Sequence, residues 1–334
     1  MPYYAFAADL GGTKCSAAVV DQKGRIVARE TVPVDLSSPS GPVLQIRQLA
    51  KDLAGLKSPK EAYSAAAVAV PGLARPSGTV WAPNLPGWER MPLAARLKRS
   101  LGIPVIVESD RNAAVLGECW RGAAQGKSDA IVVIIGTGIG AGILSGGRII
   151  RGAHELSGCA GWLVVSECDN ANSKRVGQLE SLTAGPGIAR SARQQIEAGA
   201  QTELASLDSA RITAYDVAAA ARRGDQVAIQ IFHNVGELLG RGLANLVSLF
   251  DPEIIVIGGG MAAAADLYIE SLKQTMLASG QPLAVKQVKV AVSKLGDVVN
   301  LLGCARLAWE AAGAPPLRRM SWSQELSAKM RAGA

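Results

Sequence analysis

Aromatic residues make up only 4% of the 334 residues, histidine occurs twice and cysteine five times. Each scarcity closes off a class of function. Cys15, Cys119, Cys159, Cys168 and Cys304 are odd in number, widely spread and free of any C-x-x-C pair. That excludes a disulfide framework or a paired-cysteine redox motif and points to reduced thiols. With no cysteine in a setting that would activate it, nucleophilic thiol catalysis has no support. The longest apolar stretch, residues 130–144, is too short and too glycine-rich to cross a bilayer, so no membrane partner is expected. Met1 leads almost at once into the strand-like YYAFAADL, without the three-part pattern of a signal peptide, and a cytoplasmic location is the expectation. The formal charge is +7, but the lysines and arginines are dispersed and no zinc-finger or helix-turn-helix pattern accompanies them. Nucleic acid is therefore not an expected partner.

Glycine, by contrast, is abundant at 37 residues, and hydrophobic residues reach 49%, enough for two full cores. The glycines concentrate in a hairpin that occurs twice, as DLGGTKCSAAVVDQKGRIV from Asp9 and as IGTGIGAGILSGGRII from Ile135. In each copy a buried strand ends, turns through small residues and returns as a second apolar strand, with tight turns at 21–24 and 145–147. Loops of this kind expose backbone N–H groups and let a bulky anion come close, and a threonine hydroxyl adds a donor. Asp9, Gly11, Gly12, Thr13 and Lys14 in one copy, and Gly136, Thr137 and Gly138 in the other, are candidates to hold one polyphosphate from two sides. Neither loop is a Walker A sequence or a dinucleotide fingerprint.

Strand and helix patterns alternate along the chain, which indicates an α/β class. A buried strand at about 65–70 ends in Pro71-Gly72, and the loop RPSGTVWAPNLPGWERMP follows, long enough to form a pocket wall. A helix is expected at 93–101, then the strand IPVIVESD and a helix beginning at Asn112. The second half runs from the hairpin at Ile131 through an irregular stretch at 152–178. Helices then lead to the strand EIIVIGGG. The duplication predicts an N-terminal α/β domain of residues 1–118 joined by a C-terminal helix at about 298–312, and a second domain of residues 119–297. A hinge is expected near 118–126, and residues 313–334 form an appended arm. Asp110, where a buried strand meets a helix, is the candidate general base. Asp9 could hold hydrated Mg²⁺, and the glycines at 258–260 offer a surface bare of side chains for a purine and ribose.

Together these motifs resemble the ROK family (repressor, open reading frame, kinase) of sugar kinases, within the actin-like and hexokinase-like ATPase superfamily. The resemblance runs from about Ala5 to Ala311 through DLGGTK, VPG, PNLPGW, SDRNAAVLGE, GTGIGAGI, GQLESLTAG and NLVSLFDPEIIVIGGG, in that order. It implies two ribonuclease H-like domains with a cleft between them and ATP-dependent transfer of phosphate to a sugar hydroxyl. ATP and Mg²⁺ would be the cofactors and a homodimer the assembly. Asp110 would be the base and Asp9 would place Mg²⁺ through water. Gly12–Lys14 and Gly136–Gly138 would hold phosphates, and Gly258 and Gly259 would line the adenosine site. Gly72, Asn84, Ser109, Asp110 and Glu180 match positions at the sugar, with Ser109 standing where an asparagine is usual.

The acceptor side departs from the family. Its A-G-E-x-G-H segment reads AGWLVV, which puts Trp162 at the sugar-binding glutamate and Val165 at the histidine that contacts sugar and ligates zinc. Its cysteine-rich loop reads CDNANSKRVGQLE, with Gln178 at the last cysteine and only Cys168 left as a ligand. One ligand cannot hold structural zinc, so no zinc is expected, and packing around Trp162 is expected to hold the loop instead. Of the two histidines, His154 lies near the substrate loop. The alternative reading is a nucleotide- or sugar-binding sensor of the same fold with weak or no transfer activity. The family's repressor branch, with its N-terminal DNA-binding region, is not expected of a sequence that opens on the first phosphate loop.

Overall fold

The computed structural model describes residues 4–167, 171–315 and 317. Strands β1 (Tyr4–Leu10), β2 (Lys14–Asp21), β3 (Ile26–Pro33), β4 (Tyr63–Val70) and β5 (Val105–Ser109) form one sheet in the order β3-β2-β1-β4-β5. Strands β6 (Ala130–Ile135), β7 (Ile139–Ser145), β8 (Arg148–Ile149), β9 (Ile254–Gly258) and β10 (Lys289–Val292) form another in the order β8-β7-β6-β9-β10. The two orders are the same plan used twice. In each, an antiparallel hairpin is extended by parallel strands that need crossover connections.

The central strands are apolar on both faces because both faces are covered. Phe6, Ala8 and Leu10 of β1 enter the core of the first half, while Ala5 and Ala7 enter a middle layer. Ile131, Val133 and Ile135 of β6 enter the core of the second half, and Ala130 and Val132 enter the same middle layer from the other side. Two helices fill that layer, one at Asp110–Arg121 and one at Val299–Ala311. They cross closely because glycine stands at the contacts. A Cβ on Gly303 would lie 1.8 Å from the Ala113 carbonyl, and one on Gly117 would lie 2.2 Å from the Val299 carbonyl.

The C-terminal helix packs on β1 and β4, so the last helical segment closes the first sheet. The helix at Asp110–Arg121 runs without a break past residue 118 and packs on β6 and β7 of the second sheet. It also begins two residues earlier than expected, which puts Asp110 in its first turn. The chain passes from one sheet to the other only after that helix, at Gly122–Asp129. Gln226–Phe250, the longest helix among the described residues, buries one stripe in the core of the second half and ends at Asp251, whose φ of 44° breaks the helix before Pro252. Among the described residues no helix is long and apolar enough to cross a membrane. Most of the expected C-terminal arm lies outside the described residues.

Candidate active site

The C-terminal ends of the central strands from both sheets open onto one cleft, the place where ligands sit in open α/β sheets. Its volume is about 500 Å³, and a neighbouring pocket of about 930 Å³ shares Lys14, Gly136 and Thr137 with it. The first glycine loop contributes through Thr13 and Lys14. Gly11 is tied by its N–H to the Lys14 carbonyl (2.9 Å), and a Cβ on Gly12 would meet nothing within 4 Å. Gly11 and Gly12 therefore form the turn without lining the cleft wall.

Asp9 lies at the end of β1 and lines the cleft. Burial pushes its carboxyl up to about 6, and the nearby charge of Asp110 adds to the rise. A hydrogen bond from Asn300 and the charges of Lys14 and Arg29 oppose it. Asn300, in the first turn of the C-terminal helix, donates its amide to Oδ1 at 3.2 Å. Among the described residues Oδ2 has no side-chain partner. One carboxylate with a free oxygen, in a cleft lined by the second glycine loop, is a hard-oxygen donor that would suit Mg²⁺, which keeps most of its water.

Asp110 lines the same cleft. Burial raises its carboxyl above the usual range. The backbone N–H of Arg111, 2.8 Å from Oδ1, and the Arg111 charge act in the opposite direction. Its helix can approach β7 because Gly142 carries no side chain there: a Cβ would lie 2.0 Å from the Arg111 carbonyl. The neighbouring Glu108, almost fully buried, accepts from the Ser109 N–H and from Asn112 Nδ2, both at 2.9 Å. It also reaches Arg151 of the second half at 2.5 Å. Sequence reasoning passed over Glu108, although a carboxylate among the buried residues of a strand is an unusual signal. Ser109 is buried with its hydroxyl unpartnered and does not line the cleft.

The second glycine loop is braced from behind. Glu180 accepts from the Ile139 N–H at 2.7 Å, and a Cβ on Gly138 would lie 2.9 Å from the Glu180 carboxylate. Glu180 thus supports the loop and is not among the residues that line the cleft. Two residues earlier, Gln178 is buried, and its Oε1 accepts from the N–H groups of Val165 (2.7 Å) and Ser166 (2.9 Å). Its Nε2 donates to the Ser166 carbonyl at 3.0 Å. That corrects the expectation for the loop. Trp162 is 56% exposed and anchors nothing, while the Gln178 amide, at the position of the family's last cysteine, pins the strand-like segment by pairing with its backbone. Cys168 lies outside the described residues. Among the described residues no group of three or more His, Cys, Asp or Glu is placed to hold a metal ion.

Gly72 and Asn84, expected at the sugar, line the cleft with Pro71, Trp81 and Pro83. Gly72 has φ 127°, and a Cβ would lie 2.3 Å from the Trp81 carbonyl, so this turn requires glycine. Gly258 faces inward, its Cβ position 2.9 Å from Ile134 Cδ1, whereas Gly259 lines the cleft and Gly260 the larger pocket. The rest of that pocket, including Pro186, Ala189, Tyr215 and Met261, escaped sequence reasoning. Its residues come from separate helices, and only the fold brings them together. His154 is exposed and outside the cleft, and His233 faces Glu237 on the surface.

The model of the ROK family matches residues 5–311. A glucokinase of Halalkalibacterium halodurans is 31% identical over 305 residues, covering 88% of this chain and 92% of the relative. One from Streptomyces coelicolor is 32% identical over 312 residues, with 90% and 96% covered. Among solved structures, a ROK family glucokinase from Streptomyces griseus, in complex with glucose and AMPPNP, aligns with a TM-score of 0.74 at 30% identity. That alignment covers 92% of this chain and 99% of the other. With the doubled sheet, the paired glycine loops and this match over nearly the whole length, the chain belongs to the ROK family.

Proposed function

We propose that the protein is an ATP-dependent sugar kinase, transferring the γ-phosphoryl group to a hydroxyl of a sugar, with Asp110 as general base. The observation that carries this is the position of Asp110. Its helix is wedged against the second hairpin at Gly142, so its carboxylate shares one cleft with Lys14 and the loop at Gly136–Gly138 on one side. Gly72 and Asn84 lie on the other. The glucokinase relatives and the glucose- and AMPPNP-bound structure support the same reading.

Phosphoryl transfer asks the protein mainly for positioning and charge stabilisation. The Thr13 and Lys14 side and the Gly136–Gly138 side would hold the phosphates, with the purine in the pocket beside Tyr215 and Met261. Asp9 would hold Mg²⁺ through water, and the ion when bound supplies positive charge to the phosphate oxygens. Asp110, whose carboxyl burial raises above the usual range, is a better proton acceptor than a free aspartate, and it would take the proton of the acceptor hydroxyl as the bond to phosphorus forms. Glu108 keeps the first turn of that helix in place. ATP as donor fits work in the cytoplasm, and light scattering tests the homodimer. Asp110→Asn should lower acceptor-dependent ADP release by about 10²–10⁴-fold while leaving nucleotide binding intact. Undiminished transfer would remove Asp110 from its role, and no acceptor-dependent ADP in the wild type would favour a sensor.

A further inference from the structure

Two cations line the cleft without an ion-pair partner among the described residues, and one of them has no role so far. Lys14 sits at the phosphate end. Arg111 sits beside Asp110 at the acceptor end, its Nε buried with no hydrogen-bond partner. Its one recorded side-chain bond is from Nη2 to a neutral acceptor, the Glu155 carbonyl, at 3.0 Å. The carboxylate of Glu155 turns instead to Arg151 at 3.9 Å. Glu155 holds φ at 61°, a left-handed conformation that non-glycine residues adopt rarely.

Of the other carboxylates that line the cleft, Asp297 pairs with Arg29, Asp9 accepts from Asn300 through one oxygen, and Asp110 has the Arg111 charge beside it. The position that the family resemblance gives to a sugar-binding glutamate is Trp162. The acceptor end therefore carries a guanidinium with no ion pair among the described residues and a buried Nε without a partner, beside the proposed base Asp110, in a wall otherwise made of Pro71, Gly72, Trp81, Pro83 and Asn84. A half-buried cation of this kind is costly unless a ligand completes it, and guanidinium is the side chain best shaped to take a carboxylate through paired N–H donors.

We infer that Arg111 makes the cleft selective for a sugar acid, whose carboxylate it binds while Asp110 takes the proton of the reacting hydroxyl. The inference rests on the sugar-kinase reading and narrows its acceptor. Trp81, 40% exposed at the same wall, offers its ring to the apolar face of the sugar, so affinity for the ring and for the carboxylate comes from different residues.

The test compares glucuronate and gluconate with glucose in wild type, Arg111→Met and Arg111→Lys, by ADP release and by calorimetric binding in the presence of AMPPNP. The acids should be at least about 10-fold better acceptors than glucose in the wild type. Arg111→Met should reduce kcat/KM and binding for the acids by about 10–100-fold, reduce the use of glucose by a clearly smaller factor, and be partly rescued by lysine. Equal or better use of glucose by the wild type would overturn the inference while leaving the kinase reading in place. An equal fall with every acceptor would also overturn it, since Arg111 would then serve the phosphoryl group or Asp110. If no acceptor releases ADP, the kinase reading falls, and binding of glucuronate still decides. Loss of that binding in Arg111→Met supports the carboxylate site, and absence of binding in the wild type overturns it. Melting temperatures of both variants report whether the fold is kept.

Discussion

The two glycine hairpins share a sheet position and differ in what they bring to it. In the first, Leu10 pairs with Cys15 as the last rung and Asp9 with Ser16 before it; in the second, Ile135 pairs with Ile139 and Ile134 with Gly140. Superposing the rungs puts Asp9 opposite Ile134 and leaves four residues in the first turn against three in the second. The longer turn carries charge, Asp9 and Lys14, and stands open around Gly12. The shorter one carries no charge and is held from behind: Glu180 accepts from Ile139, and the Gly185 N–H donates to the Gly136 carbonyl at 2.9 Å. One copy has become the electrostatic half of the site and the other the rigid half.

The sharpest way to break this contrast is Asp9→Asn, which removes the charge and keeps the shape. The metal requirement should rise by about 10–100-fold. Stability should move the other way. A folded-state pKa of about 6, against 3.8 in the unfolded chain, makes the proton bind more tightly to the folded form. Its stabilising contribution is complete below pH 3.8 and is lost as pH rises through about 6. Metal-free Asp9→Asn should therefore melt higher than wild type at pH 7, with the gap closing towards pH 4. A wild type whose Tm gains on Asp9→Asn from pH 4 to pH 7 would refute the raised pKa.

Next in size is a paired substitution. Gly138→Ala drives a Cβ to 2.9 Å from the Glu180 carboxylate, and overpacking of that kind costs about 1–3 kcal/mol, so Tm should fall. Gly12→Ala meets open space and should leave Tm unchanged. Equal losses of Tm would mean that both loops are braced. Gln178→Ala tests the far end of the brace. It removes the acceptor that Val165 and Ser166 share, at a cost of about 1–3 kcal/mol for the buried Val165 N–H. Hydrogen exchange should rise at 163–166 and at 138–139. A change confined to 163–166 would separate the loop from the phosphate site.

How much of this was legible before the fold follows from the same contrast. The hairpins, the doubled α/β plan and the membership of Asp9, Lys14, Gly136–Gly138, Gly72, Asn84 and Asp110 in one cleft rest on local motifs, and strand-end glycines report themselves in sequence. Glu180 and Gln178 were visible as residues, but their direction was not. One helical turn presents Glu180 to Ile139 and Gln178 to Val165, and only tertiary packing sets which way it faces. Trp162 misled because size suggests burial, whereas three backbone hydrogen bonds to one amide outweigh it here. The far wall of the larger pocket had no sequence signature, since Pro186, Ala189 and Tyr215 come from separate helices that only the fold brings together.

The smallest expected effect probes the side-chain contact that the last helix makes with Asp9 of the charged hairpin. Asn300 donates to Asp9 Oδ1 at 3.2 Å, the long end of a good hydrogen bond, and it shares the work of stabilising the anion with Lys14 and Arg29. Asn300→Ala removes only one of three opposing influences, so Asp9's pKa should rise modestly above about 6. Because the ionised form is the one that faces the metal, the acid limb of the pH–rate profile should move to higher pH, with the KM for the sugar unchanged. Carboxyl-carbon NMR on the metal-free protein should show the same direction without any turnover. If the limb moves and the Asp9 resonance does not, the profile reports Asp110, the other carboxylate raised by burial in this cleft. Asn300 would then be holding the C-terminal helix in place, and the charged half of the site would owe its tuning to Lys14 and Arg29 alone.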